Sequence, residues 1–533
     1  MKVRGLTHSK IYSSTNELIN IDQDIHVPQH IEDISCFCEK CDNNDCITGN
    51  ILVRPSSLET ACYIVEHICQ TYKVYINNIT KYLSCDVILP RDVRYFEARL
   101  LYNKLYSLWP ACIVLVRNTS DVSDTIKYCL NNKLPFRIRS GGHSNAPVSI
   151  KNYAVIIDTS KMNKIVSTNV SHCSNIGTAT VQVGALLGPT INSLTEIGYI
   201  LPTGTCATNG IGGVSLAGGF GQFSRYFGLT IDNLLEITIV DSEGYVHNVT
   251  EKDSKIFNAI RGAGAGNFGV VTEYKFQIYK ILEAQTYQFD FPYSSLESVF
   301  TWFDTDGQKL DDKIGLDMNI LSKGLPFTIS GVASVFNDLN LDFKSLLDLG
   351  LHTSFESQKE NINKVAQWIS SGSYARPLCG FAQIFFTEKL FGTEGVTKIQ
   401  EALSKTLPDN IFDSVSILLL GGEVSRIKSD DTGFPWRKAL YWCEISTRFV
   451  NQNDAKASIE WVRKSRDSFK DIVGITIDNE NIIPSYSGFI DLDMDVTTAQ
   501  KSYWGNNIQW LREVKTEVDP RDVFNWQYSI KPY

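Results

Sequence analysis

Long apolar runs are missing from this sequence of 533 residues. No stretch approaches the roughly 18 consecutive apolar residues that a membrane-spanning helix needs. The N-terminus, "MKVRGLTHSKIYSSTNELIN", carries basic residues but lacks the apolar core of a signal peptide. The sequence therefore predicts neither a membrane span nor a secretory signal, and it leaves the compartment open.

An excess of positive charge is also absent. The chain has 50 Lys and Arg against 59 Asp and Glu, a net charge of −9. Such a chain has no electrostatic attraction to nucleic acid or anionic membrane as its main partner. With 43% hydrophobic residues it has ample material for a core in two or three domains. We expect a small molecule as the partner, and self-association stays open.

Paired cysteine knuckles of the kind that hold zinc are missing. The chain has 13 Cys, an odd number, and four of them, Cys36, Cys38, Cys41 and Cys46, lie in "CFCEKCDNNDC". Only Cys38 and Cys41 form C-x-x-C, with no matching second pair. Local disulfides or free thiols are favoured over a metal, and no metal site is predicted. Residues 1–84 are interpreted as a Cys-containing N-terminal extension.

Strand-like and helix-like segments alternate from about residue 105. "ACIVLVR" (111–117) predicts a strand, and 120–134 predicts a helix with Ser120 or Asp121 as its N-cap. "LLEITIVDSEGYVHNVT" (234–250) predicts two strands around a turn. Strands and helices also mix between 283 and 480, and a final helix ends near Asp519. This texture indicates an α+β or α/β chain with a second domain.

Three glycine-rich loops stand out, at 140–144, 202–229 and 261–271. Glycines let successive backbone N–H groups form a nest for phosphate oxygens and let the chain lie close against a flat ligand. The third loop contains G-x-G-x-x-G at Gly264, Gly266 and Gly269, but a strand-like run follows it. A dinucleotide fingerprint opens a helix, so we interpret this loop as leading into a strand.

The motifs together resemble a known family. "RSGGH" (139–143), "PTGTC" (202–206) with "GIGG" and "AGGFG", and "GNFGVVT" (266–272) are similar to those of the berberine bridge enzyme-like FAD-linked oxidoreductases, as are "DDTGFPWRKALYWCEI" and the C-terminal "YWGNNIQWLREVKTEVDPRDVFNWQYSI". The resemblance implies an α+β fold. It would comprise a PCMH-type FAD-binding domain (85–282), a substrate domain with an antiparallel sheet backed by helices (283–485), and a C-terminal segment (486–533) that completes the FAD domain.

The resemblance also implies a cofactor, FAD held by two covalent bonds. In many members of the family a His after the Gly-Gly turn bonds to the flavin 8α-methyl and a Cys in the second loop bonds to C6. His143 and Cys206 occupy these positions. The full set of predicted cofactor-binding residues is His143, Cys206, Arg139, Ser140, Gly141, Gly142, Ser144, Thr205, Asn209, Gly212, Gly213, Gly218, Gly219, Asn267, Gly269 and Val271.

A general base is expected in "FPWRKALYWCEI", where members of the family place a Gln or Glu. Glu444 occupies that place and is our candidate base, and strand alternation puts it on one face with Trp442. Pairing with Arg437 or Arg448 on an outward strand face is the structural alternative for this residue. Tyr441 and Tyr486 are further candidates, as phenols.

Some positions depart from the family pattern. Trp436 replaces a common His, Phe489 replaces a Tyr found in carbohydrate oxidases, and Tyr528 stands where Gln is frequent. Many members of the family have a small or branched apolar side chain at the position of Asn209, where it governs the access of oxygen to the flavin.

We expect an oxidoreductase that transfers hydride from an alcohol, sugar or aromatic, alkaloid-like substrate to flavin N5, with O₂ as acceptor. The alternatives are a dehydrogenase with another acceptor, or a structural or packaging protein that keeps the scaffold without turnover.

Overall fold

The structure is a computed structural model that describes residues 58–71, 73–171, 173–263, 266–321, 325–334, 343–370, 379–404, 407–408 and 411–533. The cysteines at 36, 38, 41 and 46 lie outside these residues, as do Gly264 and most of the predicted extension 1–84. Within the described ranges, no helix is both long enough and apolar enough to cross a bilayer.

The first sheet holds the strand that leads into the first glycine loop. Its strands are β1 (Asp86–Ile88), β2 (Cys112–Leu115), β3 (Phe136–Arg139) and β4 (Val155–Asp158), in the order β1-β2-β4-β3. Strands β2, β4 and β3 run parallel, and the runs in β2 and β4 are almost wholly buried, as parallel strands usually are. The first loop therefore starts at the carboxyl end of a parallel strand.

The helices of this region are α1 (Leu58–Thr71), α2 (Lys73–Tyr82), α3 (Tyr95–Ala98) and α4 (Thr119–Asn131). The prediction that Ser120 or Asp121 caps α4 is wrong. The cap is Asn118, whose side-chain oxygen accepts a hydrogen bond of 2.9 Å from the backbone N–H of Asp121. An Asn side chain serves this purpose as well as Ser or Asp, because its oxygen also satisfies a free N–H of the first turn.

The second sheet is antiparallel. Its strands are β5 (Ile165–Asn169), β6 (Ile176–Gln182), β7 (Tyr199–Ile200), β8 (Leu234–Val240), β9 (Val246–Thr250) and β10 (Val270–Lys280). Its helices are α5 (Leu187–Glu196), α6 (Ile211–Ala217), α7 (Ser224–Phe227) and α8 (Ser254–Ile260). The predicted turn between β8 and β9 is confirmed, and the third loop does lead into a strand, β10.

The third sheet, also antiparallel, has the order β14-β11-β13-β12-β16-β17-β15. Its strands are β11 (Glu283–Phe291), β12 (Ile314–Leu321), β13 (Phe327–Ser334), β14 (Ser354–Asn361), β15 (Cys379–Thr387), β16 (Ile411–Leu419) and β17 (Tyr441–Phe449). The helices are α9 (Leu296–Thr305), α10 (Lys344–Leu347), α11 (Ile362–Ser370), α12 (Gly392–Ser404), α13 (Glu423–Arg426), α14 (Ala455–Asp467) and α15 (Lys470–Val473). The predicted α+β class, with an antiparallel sheet backed by helices, is confirmed.

The two faces of the third sheet differ in character. One face is apolar and packs against α9, α12 and α14, with Cys443 and Ile445 of β17 among its buried residues. The other face carries Trp442, Glu444 and Ser446 and is half-buried or partly polar. Side chains alternate along a strand, so these residues share one face. This face meets the second glycine loop, where Gln222 donates to Asp317 and Phe220 packs against Phe386. We call it the cleft face.

The C-terminal segment holds the third glycine loop in place. After a hairpin of β18 (Ile475–Ile477) and β19 (Glu480–Ile482), this segment forms α16 (Val496–Trp504) and α17 (Ile508–Val518). The fully buried ammonium of Lys515 donates to the backbone oxygen of Asn267 at 2.6 Å and that of Phe524 at 2.8 Å. It also pairs with the buried carboxylate of Asp519 at 2.7 Å. The loop and the C-terminus are therefore joined through one cation.

Replacing Lys515 by Met is expected to destabilise the fold by about 3–5 kcal/mol, because the buried Asp519 carboxylate would lose its cation. Chemical denaturation monitored by circular dichroism measures this loss. Lys531→Met is the control, since the partly exposed Lys531 makes only a surface pair with Asp522 at 2.8 Å. That change should cost about 1 kcal/mol or less. Equal effects of the two substitutions would contradict the prediction.

Candidate active site

The first and second glycine loops touch each other backbone to backbone. A Cβ on Gly141 would lie 2.4 Å from the backbone nitrogen of Gly210, and one on Gly210 would lie 2.3 Å from that of Gly141. No side chain fits at either position. Ser140 fixes the first loop further, because its hydroxyl donates to the carbonyl of Val183 at 2.8 Å. This contact brings together residues that are far apart in the sequence.

His143 and Cys206 meet beside this contact, although 63 residues separate them. The Nε2 atom of His143 lies 3.6 Å from the Cys206 sulfur. Thr208 bridges the pair, with its hydroxyl 2.9 Å from His143 Nε2 and 3.4 Å from the Cys206 sulfur. On the other side, the ring of Tyr102 stacks on the imidazole at a centroid distance of 3.6 Å. The imidazole ring is therefore held in one orientation.

Burial lowers the pKa of His143 to about 4, and the positive charge of Arg448 contributes in the same direction. The imidazole is therefore neutral at physiological pH, with a lone pair available for bond formation. Arg448 belongs to β17 in the third sheet, so its effect on His143 links the glycine loops to the cleft face.

Glu444 lies on the cleft face, half-buried, on the same side of β17 as Trp442. Burial raises the pKa of its carboxyl, while Arg448 and a hydrogen bond with Ser446 partly oppose that effect. The same guanidinium thus acts on both Glu444 and His143. Arg437, the other cation considered from the sequence, instead pairs with Asp232 at 2.8 Å. A half-buried carboxylate with a raised pKa is suited to accept a proton.

An aromatic wall adjoins Glu444. Phe220 of the second loop packs against Phe386 at 5.5 Å and against Tyr486 at 5.3 Å, measured between ring centroids. Trp442 packs against the same cluster. The hydroxyl of Tyr486 accepts a hydrogen bond from the Gly219 N–H at 3.3 Å, and burial raises its pKa to about 12. Tyr486 therefore lines the cleft as a neutral phenol.

Tyr441, by contrast, lies on the opposite face of the sheet. Its hydroxyl donates to the Asp304 carboxylate at 2.7 Å, under helix α9, and its side chain is fully buried. The alternation of side chains that directs Glu444 into the cleft directs Tyr441 away from it. The prediction that Tyr441 supplies a catalytic phenol is therefore wrong.

Several predicted cofactor residues contact protein instead of open space. Arg139 pairs with the buried Asp158 at 2.6 Å. The Asn267 side chain bonds the carbonyl of Ala263 and the N–H of Ile530, so it joins the third loop to the C-terminus. A Cβ on Gly212, Gly218, Gly219 or Gly269 would meet protein atoms at 2.0–2.9 Å, and Val271 is buried in β10. These glycines permit close packing.

Other predicted cofactor residues remain accessible around the two loops. Gly213 faces open space, with no atom within 4 Å of the place that a Cβ would occupy, and Thr205 is exposed. Ser144 and Gly142 are half-buried, and Gly142 has a φ of +62°, a conformation that suits glycine. These positions leave room for a ligand along the loops.

Three of the residues that depart from the family pattern have structural partners. The indole of Trp436 donates to the carbonyl of Ser485 at 3.1 Å, and Tyr528 donates to that of Met494 at 2.7 Å. Phe489 stacks on Tyr486 with ring centroids 6.2 Å apart. Trp436 and Tyr528 therefore belong to the packing around the site, and Phe489 belongs to its aromatic wall.

The sequence did not single out Tyr102, Thr208, Asp317, Asn319 or Ser416 as functional. The only local signals were the position of Thr208 two residues after Cys206, and the polar residues at alternate positions of the apolar "GLDMNIL" in β12. Asp317 and Asn319 lie on the cleft face because of that alternation.

The residues present fit FAD. Around the loops, the Oγ1 of Thr203 and the Oδ1 of Asn209 are buried without a partner among the described residues. Such atoms require a hydrogen-bonding ligand or solvent. The neutral imidazole and the adjacent thiol provide two nucleophiles, and the Gly141–Gly142 turn offers backbone N–H groups for phosphate oxygens. Together these groups match a ligand with a polar ring edge and a pyrophosphate.

Comparison with protein families gives two matches. Residues 110–250 match the FAD binding domain family, and residues 485–531 match the family described as berberine and berberine like. The first match contains both His143 and Cys206, and the second contains Tyr486. FAD is therefore the cofactor of this fold.

Individual proteins agree with these matches. The chain is 29% identical over 459 residues to the uncharacterized FAD-linked oxidoreductase YvdP of Bacillus subtilis, covering 84% of this chain and 98% of that protein. It is 26% identical over 481 residues to reticuline oxidase of Eschscholzia californica, covering 81% and 85%. The solved structure of Physcomitrella patens BBE-like 1 superposes with a TM-score of 0.76 at 21% identity, covering 86% of this chain and 99% of that one. The chain therefore carries the FAD binding domain and the berberine-like segment of the berberine bridge enzyme-like FAD-linked oxidoreductases, and it is similar to these proteins over most of its length.

Proposed function

We propose that this enzyme carries FAD bound covalently through both His143 and Cys206 and oxidises an alcohol, sugar or aromatic, alkaloid-like substrate, with Glu444 as the base. The observation that carries the proposal is the 3.6 Å distance between the His143 imidazole and the Cys206 sulfur, at the contact of two glycine loops. Packing of the two loops would not by itself require both an imidazole and a thiol at this place.

Bound FAD would accept the hydride that leaves the substrate carbon. The task of the protein side chains is to bind the substrate and remove its proton. Glu444, as a carboxylate, would take the proton from the substrate O–H or N–H, and the charge of Arg448 favours the ionised form of its carboxyl. The raised pKa of Glu444 makes it a stronger base than an exposed carboxylate.

The lining of the cleft supports a substrate with both a flat apolar part and a hydroxyl group. Phe386, Trp442 and Tyr486 supply ring surfaces. The indole N–H of Trp442 is buried without an acceptor among the described residues, so it is available to donate to a substrate oxygen. Serines of β16 and β17 add hydroxyl groups on the same face.

A second candidate function is that of a dehydrogenase that passes electrons to an acceptor other than O₂. The observation that favours it is Asn209, three residues after Cys206, with a buried side-chain oxygen that has no partner among the described residues. A polar amide at this position would alter access of apolar O₂ to the flavin. The structural or packaging role considered from the sequence is set aside, because the family assignment is that of an oxidoreductase.

The mass of the intact, denatured chain tests the cofactor proposal. Protein from riboflavin-supplied cells should be heavier than the bare polypeptide by one FAD, because a covalent bond survives unfolding. A colourless chain with the bare polypeptide mass would contradict the proposal.

Anaerobic mixing with sugars, benzylic alcohols and alkaloids tests the reaction. At least one of them should bleach the flavin absorbance, since hydride transfer reduces the ring. Admitting air then separates the candidates: fast recovery of the absorbance indicates an oxidase, and slow recovery indicates a dehydrogenase. A flavin that no alcohol or amine bleaches would contradict the proposed reaction.

A further inference from the structure

A chain of hydrogen bonds crosses the cleft face of the third sheet. It begins in the second glycine loop at Gln222, whose side-chain amide donates to Asp317 Oδ1 on β12. Asn319, two residues further on, donates from its side-chain amide to Asp317 Oδ2. Ser416 on β16 donates from its hydroxyl to Asn319 Oδ1 at 2.7 Å. The chain therefore leads from the loop that holds Cys206 toward β17.

The chemistry of these groups fixes which of them donates and which accepts along this series of hydrogen bonds. An ionised carboxylate only accepts hydrogen bonds, so the NH₂ group of Asn319 must face Asp317. The oxygen of Asn319 then faces Ser416, and Ser416 must use its proton on that oxygen. The Ser416 hydroxyl has no second proton, so toward any other neighbour it acts as an acceptor.

Ser416 lies directly opposite Glu444 in the register of β16 and β17. The Cβ atoms of such opposite residues are about 5 Å apart. We propose that Asp317 and Asn319 orient the Ser416 hydroxyl so that its oxygen, and not its proton, faces Glu444, and that this favours the protonated form of Glu444. Asp317 and Asn319 are thus positioning residues for the base. The inference rests on the proposed role of Glu444 in proton removal.

The surroundings of Asp317 are consistent with an orienting carboxylate. Ser330 on β13 also donates to Asp317 Oδ1, at 3.0 Å, so every hydrogen bond that the structure gives this carboxylate is one it accepts. Burial raises the pKa of Asp317 to about 6, while the three donors lower it, so the group is ionised above that pH.

The other groups that face Glu444 act differently. On β17, Arg448 and Ser446 favour its carboxylate form. On β15 the residue opposite is Ile384, whose side chain has neither a charge nor a hydrogen-bonding group. On β16, Ser414 shares a hydrogen bond of 3.0 Å with Ser446. Across the cleft, the neutral phenol of Tyr486 adds no charge. Ser416 differs from the hydroxyls of Ser414 and Ser446 in that a carboxylate, acting through Asn319, fixes the direction of its hydrogen bond.

The test is infrared spectroscopy of the holoenzyme as a function of pH, without substrate. The C=O band of protonated Glu444 is assigned by its loss in Glu444→Gln, and its midpoint is followed in variants. Asn319→Ala should lower this midpoint by about one pH unit, because the freed Ser416 hydroxyl would donate to the carboxylate and stabilise it. An unchanged or raised midpoint would overturn the proposal.

Two further variants isolate the role of Ser416. In a Ser416→Ala background, Asn319→Ala should produce no additional shift; a shift that persists there would overturn the proposal. Ser330→Ala is the matched control, because it removes a donor to Asp317 but leaves the path to Ser416, and it should keep the wild-type midpoint. A lowered midpoint in this control would show that any loss in the network has the same effect, and would also overturn it.

A separate pair of variants covers the case in which Asn319→Ala does not fold. Ser416→Ala should lower the midpoint, since protonated Glu444 loses its acceptor, and Ser416→Thr, which keeps the hydroxyl, should restore it. Equal midpoints for these two variants would refute the orientation argument. The midpoint is read without turnover, so failure of Glu444 as the base would appear instead as undiminished flavin reduction in Glu444→Gln.

Discussion

Replacing both His143 and Cys206 by alanine should abolish covalent flavin attachment. The denatured double variant is expected to have the mass of the bare polypeptide, whereas each single variant keeps one bond and still carries the mass of FAD. The physical reason is that the imidazole and the thiol approach the same place independently, one from each glycine loop. Mass spectrometry of the intact denatured chain measures all three variants.

Matched controls come from the same residue types elsewhere. Cys173 is an exposed thiol, and His247 is a partly exposed imidazole that pairs with Asp241 at 2.6 Å. Cys173→Ala and His247→Ala should both keep the full FAD mass. Retention of FAD in the double variant would refute the attachment sites. Complete loss in one single variant would reduce the proposal to one bond.

Replacing Glu444 by Gln should slow flavin reduction by the substrate about 10²–10⁴-fold, the usual contribution of a general base. The amide keeps the shape of the side chain but cannot accept the proton, so FAD should stay bound at the wild-type level. Stopped-flow absorbance under anaerobic conditions measures the rate. A rate within about threefold of wild type would exclude Glu444 as the base.

The rate of flavin reduction should also depend on pH in a way that follows from the ionisation of Glu444. Glu444 acts as a base only when ionised, and burial raises its pKa. The wild-type reduction rate should therefore fall as the pH drops through that raised pKa, and the Gln variant should lack this limb. Tyr441→Phe is the control, because its hydroxyl faces α9. It should lower thermal stability through the lost hydrogen bond to Asp304 while leaving the reduction rate unchanged.

The sequence alone was enough to identify the fold class, the cofactor and the likeness to the family. This was so because the loops that carry His143 and Cys206 are local motifs, written in contiguous residues. The rejection of a dinucleotide fingerprint at 261–271 also followed from local order, since a strand and not a helix comes next. The helix cap did not follow from the sequence, because four consecutive polar residues, 118–121, surround the start of α4 and only the backbone geometry selects Asn118.

For the candidate site, some residues could be predicted from the sequence and others could not. Alternation along "YWCEI" was sufficient to put Trp442 and Glu444 together, and the same alternation, applied to Tyr441, should have excluded it. The glycine-rich motifs suggested ligand contact at many of their glycines, Gly212, Gly219 and Gly269 among them. In the structure, Gly212 and Gly219 pack closely against other loop and helix residues and Gly269 packs against strand β8, and Asn267 joins the third loop to the C-terminus. A motif does not reveal which side of a loop faces protein.

What the sequence by itself determined is which chemical groups this protein has and in which motifs they occur: an imidazole, a thiol, a carboxylate and the glycines that let two loops approach. Only the tertiary structure decided which of them meet. Arg448 acts on both His143 and Glu444, and Ser416 stands opposite Glu444. Such meetings depend on strand register, and a slip of one residue would turn every side chain to the other face. No local pattern encodes that register, because it is set by packing across the whole sheet.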